Sequence, residues 1–208
     1  MKKNTILSMI GISFGILFIV LDHTLGSFPL NFIIKPIPIW CIAYYCLYHK
    51  KYLLTLGFVS GSMGDIFLTQ QGETFFLMGL VSFLIGHILY SIYFLSNFKK
   101  NKQSYLFSTL VLLLSTGIAF FLIPKIEEQL QFPVVIYISG ITLMVLSTLF
   151  YRNFNYFSFL GAIFFLVSDT LIAIHQFVMP IPLAHLWIMI LYYIGQWGIG
   201  YGGCLEKH

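Results

Sequence analysis

Apolar stretches about as long as a membrane crossing recur along the whole chain of 208 residues. Charged residues make up only 9% of the sequence, whereas roughly 25% is usual in soluble domains. A helix needs about 20 mostly apolar residues to cross a bilayer. We therefore expect an all-α integral membrane protein that forms a single transmembrane domain over residues 1–208. Its eight predicted membrane spans are residues 5–21, 36–48, 52–69, 75–96, 105–123, 133–150, 156–176 and 183–202.

The positive charges predict how these spans are oriented. If all eight helices cross, the loops alternate between the two sides of the membrane. One side then holds Lys2, Lys3, Lys50, Lys51, Lys99, Lys100, Lys102, Arg152 and Lys207, and the other holds only Lys35 and Lys125. Because lysine and arginine concentrate in cytoplasmic loops, we expect both termini in the cytoplasm. This distribution explains the net charge of +4 without a nucleic-acid partner, and we expect a multi-pass protein of a bacterial inner membrane.

Two aspartates lie inside the predicted spans, Asp65 in the third and Asp169 in the seventh. A carboxylate in hydrocarbon costs several kcal/mol, so such residues usually face the bundle interior and mark functional sites. Gly57, Gly61 and Gly64 share one helix face with Asp65, which places this acid on a surface for close helix packing. Both aspartates come near the non-cytoplasmic ends of their helices. They predict acid/base chemistry, proton transport or cation binding.

The order of these features suggests an internal repeat. Each aspartate is followed by a helix with a polar insertion, which contains His87 in the fourth span and Gln196 in the eighth. We therefore expect two four-helix halves, residues 1–96 and 105–202. An even number of crossings gives both halves the same orientation, as in parallel-repeat membrane proteins.

Five further polar residues are candidates to support the two acids: Lys35, His87, Tyr90, Tyr192 and Gln196. We expect a cavity in the outer half of the membrane, with His87 and Gln196 as its floor and the long side chain of Lys35 reaching inward. Each also has a structural interpretation, as an interface anchor, a buried imidazole or an interhelical hydrogen bond. The sequence has no ligand spacing for a metal, so we expect neither metal nor other cofactor.

Several short segments resemble the lysoplasmalogenases, which are YhhN-like polytopic membrane proteins. The likeness covers most of the chain and keeps the order of the motifs. The segments are Lys35-Pro36, Gly64-Asp65, Phe83-Leu84-Ile85-Gly86-His87-Ile88-Leu89-Tyr90, Ser168-Asp169-Thr170-Leu171 and Tyr192-Tyr193-Ile194-Gly195-Gln196. The resemblance implies an enzyme that hydrolyses the vinyl ether bond of lysoplasmalogens. Its products would be a fatty aldehyde and glycerophospho-ethanolamine or glycerophosphocholine, and its partners a lysophospholipid substrate and membrane lipid.

Two buried carboxylates suit this reaction. Vinyl ether cleavage begins with protonation of the β-carbon, which leaves an oxocarbenium ion that water captures. One acid can donate the proton while the other stabilises the cation, as the two carboxylates of glycosidases do. We expect Asp65 and Asp169 to share these roles, with no assignment from the sequence. Lys35 is expected to bind the lipid phosphate and to keep an acid ionised, and Tyr90, Tyr192 and Gln196 to hold water or the glycerol oxygen.

Two other functions are also compatible with two aspartates inside membrane spans. An intramembrane aspartyl protease also uses two aspartates, and Ser62-Met63-Gly64-Asp65 approaches a Gly-x-Gly-Asp pattern. Its first glycine is serine here, and the sequence has no Pro-Ala-Leu segment. A small ion-coupled transporter would also use buried acids and repeats, although only the glycines near Asp65 suggest a broken helix.

Overall fold

Helices account for most of the computed structural model, which describes residues 2–26, 28–100 and 102–205. No strand forms among these residues. Met1, residues 206–208 and the side chains of Lys2, Lys3 and Lys102 lie outside the described part, together with their share of the predicted charge distribution. The helices are α1 Lys2–Leu25, α2 Asn31–Ile34, α3 Ile37–Tyr48, α4 Tyr52–Leu68, α5 Glu73–Leu95, α6 Lys102–Leu122, α7 Glu128–Leu149, α8 Tyr156–Phe177 and α9 Ala184–Cys204.

Among the described residues, five apolar segments are long and apolar enough to cross a membrane. They are Ile6–Leu25, Glu73–Leu95, Ser104–Lys125, Glu128–Leu149 and Tyr156–Phe177. Large apolar side chains cover much of the outer surface, as expected where a bundle faces lipid. The chain is therefore a multi-pass integral membrane protein, as the composition predicts. Helix α3 spans only about 18 Å at 1.5 Å per residue, and α4 is also shorter than the five segments. The prediction of eight crossings remains a prediction.

Two local details differ from the sequence prediction. A single helical turn, α2, precedes the Lys35-Pro36 pair, although Pro36 directly precedes α3 as expected. Helix α7 begins at Glu128 instead of residue 133 and continues through Pro133. Its first turn carries the acidic Glu128, which suits the positive end of the helix dipole. Because Pro133 lies in the second turn, its missing N–H removes one hydrogen bond without ending the helix.

The two ends of the bundle have different structures. At one end, the connections after α5 and α7 pair with each other. The Lys99 N–H donates to the Phe150 carbonyl at 2.8 Å, and the Arg152 N–H donates to the Asn97 carbonyl at 2.7 Å. At the other end, the Nδ1 of His185, at the start of α9, lies 3.6 Å from the Oδ2 of Asp22, near the end of α1. The first of these ends carries the lysine-rich connections that are expected on the cytoplasmic side.

Glycines bring two helix pairs into close contact, α4 with α5 and α8 with α9. A Cβ on Gly161 would lie 2.7 Å from both the Gly195 carbonyl oxygen and the Ile199 nitrogen. A Cβ on Gly86 would lie 3.0 Å from the Gly57 carbonyl oxygen. Backbone atoms cannot move aside as side chains can, so Gly161 requires glycine and Gly86 leaves little room for a side chain. The two pairs carry the two aspartates, and the repeat of residues 1–96 and 105–202 remains a prediction.

Replacing Gly161 tests this packing. We expect Gly161→Ala to lower the thermal unfolding midpoint in detergent, because its methyl group meets backbone and overpacking costs about 1–3 kcal/mol. Gly117→Ala in α6 is the matched control, since a Cβ there meets nothing within 4 Å. That variant is expected to keep or raise the midpoint, because alanine favours a helix by up to about 1 kcal/mol. Equal midpoints for the two variants would contradict the packing argument.

Cysteine labelling tests the predicted orientation. Gln71 lies in the connection between α4 and α5, and Asn97 in the connection after α5, and both are exposed. We expect Gln71→Cys to react with a membrane-impermeant maleimide in intact cells, and Asn97→Cys to react only after permeabilisation. The native cysteines are buried, so their labelling is low. The opposite pattern would reverse the orientation.

Candidate active site

A small cavity lies where α4 and α8 end and α5 and α7 begin. Its volume is about 80 Å³, which is room for two or three water molecules at about 30 Å³ each. Its polar lining is Lys35, Asp65, Tyr137, Ser168, Asp169 and Tyr192. Its apolar walls are Leu68, Phe76, Leu80, Phe83, Val134, Ile172, Ala173, Phe177, Ile188 and Met189.

Two larger grooves, of about 590 and 700 Å³, lie elsewhere on the bundle. The first is formed by α1, α8 and α9, and the second by α6, α7 and the turn at Ile123–Lys125. Neither is lined by an acid, a lysine or a histidine in the described part of the chain. The size of a space therefore does not identify the candidate active site, because both aspartates line the smallest of the three spaces.

Asp65 has a partner on each carboxylate oxygen. The residue is 1% exposed, and the Lys35 Nζ lies 3.3 Å from its Oδ1. The Tyr192 hydroxyl donates a hydrogen bond of 2.5 Å to its Oδ2. A buried charge needs such partners, since an unpaired one costs several kcal/mol. Asp65 is thus held by residues from two other parts of the bundle, the turn before α3 and helix α9.

Asp169 is held differently. The Tyr137 hydroxyl, from α7, donates a hydrogen bond of 2.5 Å to its Oδ2. No lysine, arginine or histidine of the described residues lies within ion-pair distance of this acid. Asp169 is half-buried and lines the same cavity as Asp65. The two acids therefore face one space, but only one of them has a cation.

Lys35 enters the cavity from the turn between α2 and α3. Its backbone carbonyl accepts a hydrogen bond of 2.9 Å from the Tyr193 hydroxyl, which fixes the turn against α9. Its side chain is only 15% exposed and points to Asp65. Of the two roles expected for this lysine, the structure favours the pairing with an acid over phosphate binding at the mouth.

His87, Tyr90 and Gln196 do not line the cavity, so the expectation that His87 and Gln196 form its floor is corrected. The His87 ring packs against Tyr137 and Phe165, with centroid distances of 5.2 and 5.0 Å. The Tyr90 hydroxyl donates to the Gln196 Oε1 at 3.3 Å. All three residues are buried. Tyr137 occupies the place expected for His87, because His87 faces the aromatic core between α7 and α8.

Tyr137 is the functional candidate that the sequence reasoning missed. It lies on the buried face of α7 with Gly140, Ile141 and Met144, so helical periodicity gives a weak signal. With 13 tyrosines in the chain, that signal does not distinguish it from others. Tyr137 becomes a candidate only because α7 packs against α8, where its hydroxyl donates to Asp169.

The sequence of this chain is similar to those of known proteins. A model of the YhhN family matches residues 30–202, a segment that contains every polar residue of the cavity. The chain is similar to lysoplasmalogenase TMEM86A of Bos taurus, with 29% identity over 181 residues, 79% of this chain and 74% of the relative. It is similar to lysoplasmalogenase TMEM86A of Homo sapiens, with 29% identity over 182 residues and the same coverage. No solved structure gives a significant match.

A double-mutant cycle tests the ion pair without any assumption about activity. Lys35→Met leaves Asp65 buried without its cation, and Asp65→Asn leaves the lysine without its anion. Breaking a buried pair costs about 3–5 kcal/mol, so each single variant is expected to lower the thermal unfolding midpoint in detergent. The double variant removes both charges and is expected to lose less than the sum. Additive losses would mean that the two residues do not interact.

Proposed function

The chain belongs to the YhhN family, and we propose that it is a membrane hydrolase that cleaves the vinyl ether bond of a lysoplasmalogen. The products would be a fatty aldehyde and glycerophospho-ethanolamine or glycerophosphocholine. The observation that carries the proposal is the pair of aspartates, Asp65 and Asp169, that line one small cavity. The similar proteins of Bos taurus and Homo sapiens bear the name lysoplasmalogenase, which supports the same substrate class.

The reaction needs a proton donor and an anion at one place. Protonation of the β-carbon creates an oxocarbenium ion, and water then attacks the adjacent carbon that bears the ether oxygen. The hemiacetal formed in this way collapses to an aldehyde and an alcohol. A carboxylate close to the cation stabilises it strongly where bulk water is excluded. Asp65 and Asp169 can supply both groups, as a pair of carboxylates does in glycosidases.

The size and lining of the cavity fit this substrate. A space of about 80 Å³ takes the reacting bond and a water molecule, whereas the rest of a lysolipid is far larger. The apolar walls, such as Leu80 and Ile172, suit the alkenyl chain. The lysine-rich connections at the opposite end favour the cytoplasmic side for that end, with this cavity toward the non-cytoplasmic side. The proposed location is a bacterial inner membrane. The proposal includes membrane lipid as the surroundings and no nucleic-acid partner.

Replacing either acid is the direct test. Purified protein in detergent is incubated with a lysoplasmalogen, and the free aldehyde is measured by mass spectrometry. We expect Asp65→Asn and Asp169→Asn each to lower turnover at least about 100-fold, a usual effect of losing an acid or base catalyst. Asp22→Asn is the matched control, because Asp22 lies outside the cavity beside His185, and it is expected to keep wild-type turnover.

Two outcomes would contradict this proposal. Near-wild-type turnover in either cavity variant, with folding checked by thermal unfolding, would exclude the paired-acid mechanism. Unchanged lipid with the wild-type protein would exclude the reaction itself. In that case, the ion-coupled transporter and the intramembrane protease would be the functions to test next.

A further inference from the structure

We propose that the two aspartates have separate roles, with Asp169 as the proton donor and Asp65 as the permanent anion. Tyr137 is then a positioning residue that aims Asp169 and stabilises it after proton transfer. This assignment rests on the function proposed above, and it comes from the unequal surroundings of the two acids. The sequence leaves the roles open because it does not show which acid meets the lysine.

The polar partners of Asp65 favour its ionised form and oppose the cost of burying its charge. The Lys35 ammonium lies 3.3 Å from Oδ1, and the Tyr192 hydroxyl donates to Oδ2 at 2.5 Å. An opposite charge within about 4–6 Å and a hydrogen bond to the carboxylate both stabilise the charged state. A proton on Asp65 would displace one of these partners. This acid is therefore a poor proton donor and a good counter-ion for a cationic intermediate.

The surroundings of Asp169 favour its protonated form. No cation of the described residues lies within ion-pair distance of it, and its negatively charged neighbour Asp65 lines the same cavity. A like charge disfavours a second ionised carboxylate. Tyr137 donates to Oδ2 of Asp169 as Tyr192 does to Oδ2 of Asp65, so the cation beside Asp65 is what distinguishes the two acids. Oδ1 of Asp169 is left to carry the transferable proton. The other titratable groups that face this space are Lys35 and Tyr192, and His87 contacts the ring of Tyr137.

The steps balance with this assignment. Asp169 transfers its proton to the β-carbon, the carbon–carbon double bond supplies the electron pair, and an oxocarbenium ion forms beside the Asp65 carboxylate. Tyr137 donates its hydrogen bond to the new carboxylate of Asp169. Water adds to the oxocarbenium carbon and gives a proton back to Asp169. Asp169 then protonates the departing glycerol oxygen and takes up the proton of the hemiacetal hydroxyl, so aldehyde and alcohol leave, Asp169 is protonated again and one water is consumed.

Infrared spectroscopy tests the assignment without substrate. A protonated carboxyl group has a carbonyl stretch that ionised carboxylates lack, so this band reports a carboxyl group that carries a proton. We expect wild-type protein in detergent to show this band at neutral pH, and Asp169→Asn to lose it. Asp22→Asn, outside the cavity, is expected to keep it.

Two matched tyrosine variants then identify the acid that gives the band. Removing a hydrogen-bond donor raises the frequency of the carbonyl that accepted it. Tyr137→Phe is expected to move the band to higher frequency, whereas Tyr192→Phe leaves it in place, because these hydroxyls bind different acids. A band that moves only with Tyr192→Phe would reverse the roles. The absence of any such band in the wild type would overturn the assignment, since both acids would be ionised.

The pH dependence of aldehyde release provides a second readout in the same variants. Ionisation of the donor gives the alkaline limb of the profile, and protonation of the anion gives the acidic limb. Tyr137→Phe is expected to lower the maximal rate roughly 10-fold or more and to move the alkaline limb to higher pH. Tyr192→Phe is expected to move only the acidic limb to higher pH, and the exposed Tyr156→Phe is expected to move neither. The reverse pattern would overturn the assignment even if the wild type hydrolyses the lipid, whereas an inactive wild type with the expected infrared shifts would contradict only the proposed function.

Discussion

The need to stabilise charge in an apolar interior organises this bundle. A carboxylate among hydrocarbon is unfavourable unless a cation or hydrogen-bond donors accompany it. Asp65 obtains a cation because the turn at Lys35-Pro36 directs the lysine side chain inward, at 3.3 Å from the acid. The hydroxyls of Tyr192 and Tyr137 come from α9 and α7. Segments far apart in the sequence thus meet at one cavity, and their meeting fixes how the helix ends are arranged.

Close helix packing makes this meeting possible. Inside a membrane no hydrophobic force drives one helix onto another, so small residues that let backbones approach are used instead. Gly161 meets the backbone of α9, and Gly86 meets that of α4. Asp65 directly follows Gly64, and Asp169 lies about two turns beyond Gly161, so each acid is on a helix whose position is set by backbone contact. The distances between the acids and their tyrosines depend on this rigidity.

The sequence predicts much of this arrangement, but not all of it. Long apolar runs predict the helices, and the cost of a buried charge singles out Asp65 and Asp169 among the residues of those runs. The position of Lys35, directly before the second predicted span, also follows from the sequence. Tyr137 does not, because periodicity gives the face of α7 but not the helix that this face meets. The displacement of His87 from the expected floor has the same cause, since its partners Tyr137 and Phe165 belong to other helices.

The small cavity has a consequence for any lipid substrate. At about 80 Å³, it can enclose a reacting bond and a water molecule but not a lysolipid. If the proposed function holds, the alkenyl chain and the head group must lie outside it, along the apolar walls and toward the bundle end where α4 and α8 finish. Few water molecules then surround the cationic intermediate, so the carboxylates act with little screening. The apolar walls that make a buried carboxylate unfavourable would also strengthen its attraction to the cationic intermediate. The reactivity of the site would therefore depend on its position inside the bundle.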